Sequence, residues 1–157
     1  METREKLKKI LSEWQEYELP PIYPREFDFK LLSGNEILSI IGARRSGKTY
    51  LCYQLIQHLR KSLPPDNVVY INLEDERLYP LKGDELSLLW DVYLEIFSAN
   101  LQKKIYLFVD EVQNGKNWSR WARRISQQNG NLKLIITGSS SKLLRSMTVA
   151  CRTARNS

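Results

Sequence analysis

The sequence predicts an α/β fold in which helices cover both faces of a parallel sheet. Two observations support this prediction: helix-like and strand-like segments alternate along the chain, and the strand-like segments are nearly continuous apolar runs. Strands that are apolar along their whole length are buried on both faces, which is typical of parallel sheets. With 157 residues, of which 42% are hydrophobic, the chain can form one domain around a single core.

The elements are expected in the order helix, strand, helix, and so on from the N-terminus. The apolar residues of the first helix recur at helical spacing, namely Leu7, Ile10, Leu11 and Trp14. The predicted helices cover residues 4–17, 47–61 and 84–101, and a fourth begins after Asn117, which we expect to cap it. The predicted strands cover residues 36–41, 68–73, 105–109 and 132–137.

Residues 42–49 read Gly-Ala-Arg-Arg-Ser-Gly-Lys-Thr and match the pattern G-x-x-x-x-G-K-[ST] between a predicted strand and a predicted helix. The glycines let the backbone approach phosphate oxygens, and the amide groups of the loop and the helix start bind anions. The Lys48 ammonium suits the β and γ phosphates, and the Thr49 hydroxyl suits Mg²⁺. The expected nucleotide-binding residues are Gly42, Ala43, Arg44, Arg45, Ser46, Gly47, Lys48, Thr49 and Tyr50.

Acidic residues follow the third predicted strand. Asp110 and Glu111 come directly after the apolar run 105–109, and ligands of open α/β sheets bind at the carboxyl ends of strands. We therefore expect Asp110 to hold Mg²⁺ through its water shell and Glu111 to accept a proton from an attacking water. Hydroxyl groups follow the fourth strand, where Thr137 or Ser139 could position that water; an ordinary Gly-Ser turn is the alternative.

Taken in order, these motifs resemble the additional-strand branch of P-loop NTPases and, more narrowly, the AAA+-type ATPases of archaea and bacteria. The resemblance rests on the loop 42–49, on residues 70–75, on Asp110-Glu111-Val112-Gln113 and on residues 135–141. It implies ATP with Mg²⁺ as the ligand and the strand order 5-1-4-3-2. It also implies that Lys48, Glu111 and Thr137 act in hydrolysis while Thr49 and Asp110 hold the metal.

The C-terminal part of the sequence departs from this pattern. We expect an N-terminal helix and lead-in over residues 1–24, an incomplete ATPase core over 25–146 and an atypical tail over 147–157. A fifth strand and a helical lid are not evident, so the first strand is expected to form an open edge. We interpret the chain as a truncated or frameshifted relative; a naturally minimal domain with a basic tail is the alternative.

Three functions remain open on these grounds. The first is a slow Mg²⁺-dependent ATPase that lacks an arginine finger, and the second is a nucleotide-binding or self-associating module with negligible turnover. The third is a DNA-associated ATP switch, because a net charge of +6 permits contact with nucleic acid. No signal peptide or membrane-spanning run is evident, and Cys52 and Cys151 lie far apart, so we expect a cytoplasmic protein without a zinc site.

Overall fold

The computed structural model describes residues 2–43, 46–79, 81–82, 84–139 and 149–152, and it confirms the α/β fold. The helices are α1 (Thr3–Glu16), α2 (Lys48–Leu59), α3 (Leu88–Ile96) and α4 (Trp118–Gln128). The strands are β1 (Leu38–Ile41), β2 (Val68–Asn72), β3 (Ile105–Asp110), β4 (Leu132–Gly138) and β5 (Val149–Arg152). Every strand pair is parallel.

The sheet has the order β2-β3-β4-β1-β5, which is the predicted order 5-1-4-3-2 read from the other edge. Leu38 of β1 lies opposite Ile135 of β4, and Phe108 of β3 lies opposite the same residue from the other side. As a result β4 separates β1 from β3, and the carboxyl ends of all three strands share one edge of the sheet. The phosphate loop, the Asp110-Glu111 pair and Thr137 all lie at that edge.

The fifth strand corrects the sequence analysis, which expected none and therefore left β1 at an open edge. Residues Val149–Arg152 pair with β1 along its whole length, with Leu38 opposite Val149 and Ile41 opposite Arg152. The only apolar residues of this strand are the short run Val149-Ala150-Cys151, and a run of that length has no measurable periodicity. Pairing with β1 supplies the backbone hydrogen bonds that make so short a segment a strand.

Helix α1 matches its prediction closely. Its buried residues are Leu7, Ile10, Leu11 and Trp14, which all lie on the predicted apolar face. The helix packs against α3 and β2, so it closes the core at the β2 edge of the sheet. Among the described residues no helix combines the length and the apolarity needed to cross a membrane.

Two local predictions need correction. The helix predicted over 84–101 is a 3₁₀ turn at Glu85–Ser87 followed by α3, which ends at Ile96. It ends early because the side chains of Asp66 and Asn67 accept hydrogen bonds from the backbone N–H groups of Ser98 and Asn100. Asn117 does precede α4, but its φ is 60° and its side chain makes no capping hydrogen bond.

Candidate functional site

The phosphate loop joins β1 to α2 through a backbone shape that only glycine adopts readily. Gly47 has a φ of 88° and occupies the N-cap position of α2. The backbone N–H of Ser46 donates to the carbonyl of Ala43 at 3.0 Å, which curls the loop. Such a loop presents its own N–H groups and those of the helix start to an anion. The predicted loop residues Arg44 and Arg45 lie outside the described residues.

Lys48 is buried with only 5% of its surface exposed. Its Nζ donates to the carbonyl of Gly42 at 2.8 Å and to that of Ala43 at 3.4 Å. The same nitrogen lies 3.5 Å from Oε1 of Glu111. The predicted phosphate-binding lysine and the predicted base therefore form an ion pair across the site.

The Asp110 carboxylate is fully buried and accepts hydrogen bonds from three hydroxyl groups. Thr49 Oγ1 donates to Oδ2 at 2.7 Å, and the Tyr70 hydroxyl donates to the same oxygen at 2.5 Å. Thr137 Oγ1 donates to Oδ1. Strands β2, β3 and β4 and helix α2 thus each contribute one group to a single cluster.

Glu111 has a φ of 55°, a left-handed conformation that non-glycine residues seldom adopt. Its backbone N–H donates to Thr137 Oγ1 at 2.9 Å, and its Oε2 accepts from Gln113 Nε2 at 2.5 Å. Backbone strain of this kind is concentrated at functional sites, where the surrounding structure holds it in place. Here Thr137 holds the backbone, while Gln113 and Lys48 hold the carboxylate.

A cavity of about 490 Å³ opens between these groups. Its lining consists of Ser46, Gly47, Lys48, Thr49, Tyr50, Glu74 and Glu111.

Tyr50, predicted to contact nucleotide, is half exposed at the cavity wall. Glu74, in the loop after β2, also lines the cavity, and the sequence analysis did not assign it to the site. Ser139, the alternative to Thr137, lies at the exposed end of β4.

The structure brings together Lys48, Thr49, Asp110, Glu111 and Thr137, as the motifs require, although their chemical roles remain predictions. It also adds Tyr70, which sequence reasoning did not assign to the site because it lies in an apolar strand and resembles an ordinary core aromatic. Arg25, in the lead-in to the first strand, is the residue that the family resemblance suggested as a contact of the base or ribose, and that contact stays a prediction. In the structure its Nη1 donates to the carbonyl of Ser46 at 3.0 Å.

The buried groups around Asp110 have perturbed pKa values. Burial, and then the charge of Asp110, raises the pKa of the Tyr70 hydroxyl far above its usual range. Burial likewise raises the pKa of the Cys52 thiol. Both groups therefore stay protonated at neutral pH, and the Tyr70 hydroxyl is the donor in its hydrogen bond to Asp110. A buried protonated thiol is unreactive, so Cys52 has a packing role.

The donor set fits Mg²⁺ rather than a softer metal. Thr49 and Asp110 present oxygen atoms side by side, and oxygen ligands are those that Mg²⁺ prefers. Across the described ranges there is no group of three or more His, Cys, Asp or Glu residues that could enclose a metal. Mg²⁺ is usually bound by one or two protein oxygens together with substrate phosphates, so this sparse set is sufficient.

Two proteins of one organism are similar to this chain in sequence. The chain is 39% identical over 132 residues to the uncharacterized protein MJ1544 of Methanocaldococcus jannaschii, covering 84% of this chain and 27% of that protein. It is 33% identical over 112 residues to MJ1637 of the same organism, covering 70% of this chain and 23% of that protein. The chain thus spans about a quarter of the length of the curated relatives it matches.

Among solved structures, C. elegans PCH-2 has a similar fold, with a TM-score of 0.52 and 15% sequence identity. The similarity covers 96% of this chain and 41% of that one. Residues 34–155 match the family described as AAA domain, a range that includes the phosphate loop, the acidic pair and β5. Since this match spans most of the sequence, the chain belongs to the AAA domain family of P-loop NTPases.

Proposed function

We propose that this chain binds ATP together with Mg²⁺ and hydrolyses it slowly. The observation that supports the proposal most directly is the cluster around Asp110, in which Thr49 and Thr137 meet one buried carboxylate beside the phosphate loop. The cavity next to this cluster is lined by residues of the phosphate loop and by the carboxylate of Glu111. This arrangement combines anion binding with a base, which hydrolysis of a phosphoanhydride requires.

Thr49 and Asp110 would hold the metal ion, and a bound Mg²⁺ would neutralise negative charge on the phosphates. The loop N–H groups would bind phosphate oxygens at the start of α2. Lys48 would exchange its hydrogen bonds to the loop carbonyls for contacts with phosphate. Binding therefore replaces neutral acceptors of the lysine with anionic ones, which form stronger hydrogen bonds.

Glu111 would accept the proton of the attacking water. In the structure its carboxylate is paired with Lys48 and Gln113. If Lys48 turns to a phosphate, the Glu111 carboxylate is released from this ion pair and can contact the attacking water. Nucleotide binding would in this way prepare the base, so hydrolysis would depend on occupancy of the phosphate site.

The expected rate is low because no arginine is found among the described residues that line the cavity. An arginine that reaches the γ-phosphate contributes roughly 10³ to 10⁵ in rate. Self-association could supply such a residue from a second copy. Self-association and contact with DNA both remain predictions from the sequence.

Glu111→Gln tests the proposed base. We expect phosphate release to fall at least about 100-fold, because general-base catalysis contributes about 10² to 10⁴ in rate, while ATP affinity stays within a few-fold of the wild type. Release is measured with a coupled phosphate assay, and affinity with a fluorescent nucleotide. Glu76→Gln is the control, since it removes a nearby exposed carboxylate that does not line the cavity.

Two results would count against hydrolysis. Equal release by wild type and Glu111→Gln, above the rate without protein, would show that Glu111 is not the base. Intact nucleotide binding with no release by the wild type would leave a binding module. That second outcome is favoured if the Lys48–Glu111 ion pair persists when nucleotide is bound.

A further inference from the structure

We infer that Tyr70 is a positioning residue of the magnesium site, which it serves by fixing the Asp110 carboxylate through a hydrogen bond from β2. This inference rests on the proposed function and deepens it. The Tyr70 hydroxyl donates to Asp110 Oδ2 at 2.5 Å, and the same oxygen accepts from the metal-binding hydroxyl of Thr49 at 2.7 Å. The oxygen that lies beside the metal ligand is therefore also the oxygen that Tyr70 holds.

Tyr70 reaches that oxygen from a ring that is packed between two other aromatic rings. The ring is 8% exposed and packs against Trp14 of α1, with centroids 5.2 Å apart, and against Tyr53 of α2, with centroids 5.3 Å apart. A hydroxyl at the end of a packed aromatic ring has few alternative positions. The hydrogen bond thus fixes the Asp110 carboxylate from a direction that neither the phosphate loop nor β4 supplies.

The hydrogen-bond pattern of Asp110 shows why this contact affects the metal. Thr137 holds Oδ1, while Thr49 and Tyr70 share Oδ2. Without the Tyr70 hydroxyl, Oδ2 keeps only Thr49, whose oxygen also has to bind Mg²⁺. The carboxylate can then rotate about its bond to Cβ, and the metal site loses part of its fixed geometry. Hydrogen bonds to metal-binding groups typically change metal affinity by about 10- to 100-fold when removed.

The Tyr70 ring and the Tyr70 hydroxyl make separate contacts: the ring packs against Trp14 and Tyr53, and the hydroxyl donates to Asp110. Removing the hydroxyl keeps the ring contacts and removes the hydrogen bond to Asp110. A variant without this oxygen atom therefore distinguishes a positioning role from a packing role.

Tyr70→Phe is the direct test because it removes the hydroxyl and retains the ring. A fluorescent, non-hydrolysable ATP analogue is titrated in EDTA and then over a series of MgCl₂ concentrations. We expect the affinity for the ATP analogue in EDTA to stay within twofold of the wild type. The Mg²⁺ concentration that gives half of the increase in affinity for the analogue should rise about tenfold. Thermal unfolding of each variant confirms that it is folded.

Tyr106→Phe is the matched control. Tyr106 lies in the neighbouring strand β3 and is also 8% exposed, but its hydroxyl contacts the carbonyl of Leu32 at 3.4 Å, away from the site. We expect its Mg²⁺ dependence to equal that of the wild type. Asp110→Ala provides the reference for a lost metal ligand.

The outcomes separate this inference from the proposed function. If Asp110→Ala weakens the Mg²⁺ dependence but Tyr70→Phe behaves like the wild type, the inference is overturned and the proposed function stands. If Tyr106→Phe shows the same shift as Tyr70→Phe, a general packing effect replaces the inference. If the wild type binds no nucleotide, or binds it without any response to Mg²⁺, the proposed function fails and the inference with it.

Discussion

The shape of the site depends on two residues with positive φ, Gly47 and Glu111. Gly47 needs its conformation to turn the phosphate loop into α2, and glycine adopts it without steric cost. Glu111 carries the same kind of backbone with a full side chain, held by the hydrogen bond of its N–H to Thr137. The glycine could be predicted from the loop pattern, whereas the strain at Glu111 has no sequence signal.

Gly47→Ala should destabilise the protein by about 1–2 kcal/mol, because an L-residue in the left-handed region costs roughly that much. An added Cβ would also lie 2.7 Å from Nη1 of Arg25 and displace the guanidinium from the loop. We therefore expect weaker nucleotide binding as well, measured by titration beside urea unfolding.

Gly130→Ala is the control for that experiment, since nothing lies within 4 Å of the added Cβ. It should change stability by no more than about 0.5 kcal/mol and leave binding unaltered. Equal stability losses in the two variants would contradict the steric argument for Gly47.

Residue types in short motifs were sufficient to predict that Lys48, Thr49, Asp110, Glu111 and Thr137 lie close together, while their roles stay predictions. The motifs work because each has a fixed position relative to a strand, and parallel strands bring their carboxyl ends to one edge. Tyr70 was missed for the opposite reason. Its hydroxyl donates to Asp110 on the neighbouring strand β3, and a linear pattern cannot represent a contact between residues so far apart in the sequence.

At the scale of elements, side chains from one turn decide where α3 stops. Asn67 is fully buried, and its Nδ2 donates to the carbonyls of Asn100 at 2.9 Å and Lys104 at 3.1 Å. Its Oδ1 accepts from the Asn100 backbone N–H at 2.7 Å. The turn before β2 thus shapes the loop before β3. The apolar spacing of residues 84–101 still resembled a helix, because periodicity does not register such competing hydrogen bonds.

Asn67→Ala should cost about 2–3 kcal/mol in the free energy of unfolding. The variant removes three partly buried hydrogen bonds, to two carbonyls and one N–H, and each such hydrogen bond contributes about 0.5–1.5 kcal/mol. Urea unfolding followed by circular dichroism gives the value.

Asn131→Ala serves for comparison, because Asn131 contacts the same loop through one exposed hydrogen bond to the carbonyl of Leu101. We expect a loss below about 1 kcal/mol there. A loss as large as that of Asn67→Ala would mean that the number and burial of the hydrogen bonds do not set the effect.

Across the whole molecule, α1 is attached to the rest of the structure by apolar packing and by surface ion pairs. Arg77, in the loop after β2, donates to Glu13 of α1 and to Asp75. Hydrogen bonds from Arg77 lower the pKa of both carboxyls below their ordinary values of 4.5 and 3.8. A lowered folded-state pKa adds stability above the ordinary value, and this stability is lost as the pH falls through the folded-state value.

Arg77→Met should therefore be less stable than the wild type at pH 7, and the difference should close as the pH falls below about 4. The pairs are exposed, so the difference should also shrink in 1 M salt. Urea midpoints at pH 7, 5, 4 and 3 measure this.

Arg124→Met is the matched substitution on α4, where the guanidinium contacts Gln128. Its stability difference from the wild type should not depend on pH. A pH-independent difference for Arg77→Met would show that only its packing matters.

The order of the strands in the sheet differs from their order along the chain, and this difference affects when the site can form. Among the described strands, β1, which precedes the phosphate loop, pairs with β4 and β5, and both of these follow it by about ninety residues or more. During synthesis β1 leaves the ribosome early but has no neighbouring strand until residues 132–138 follow. We therefore expect a nucleotide to stabilise the chain only after β4 has paired with β1.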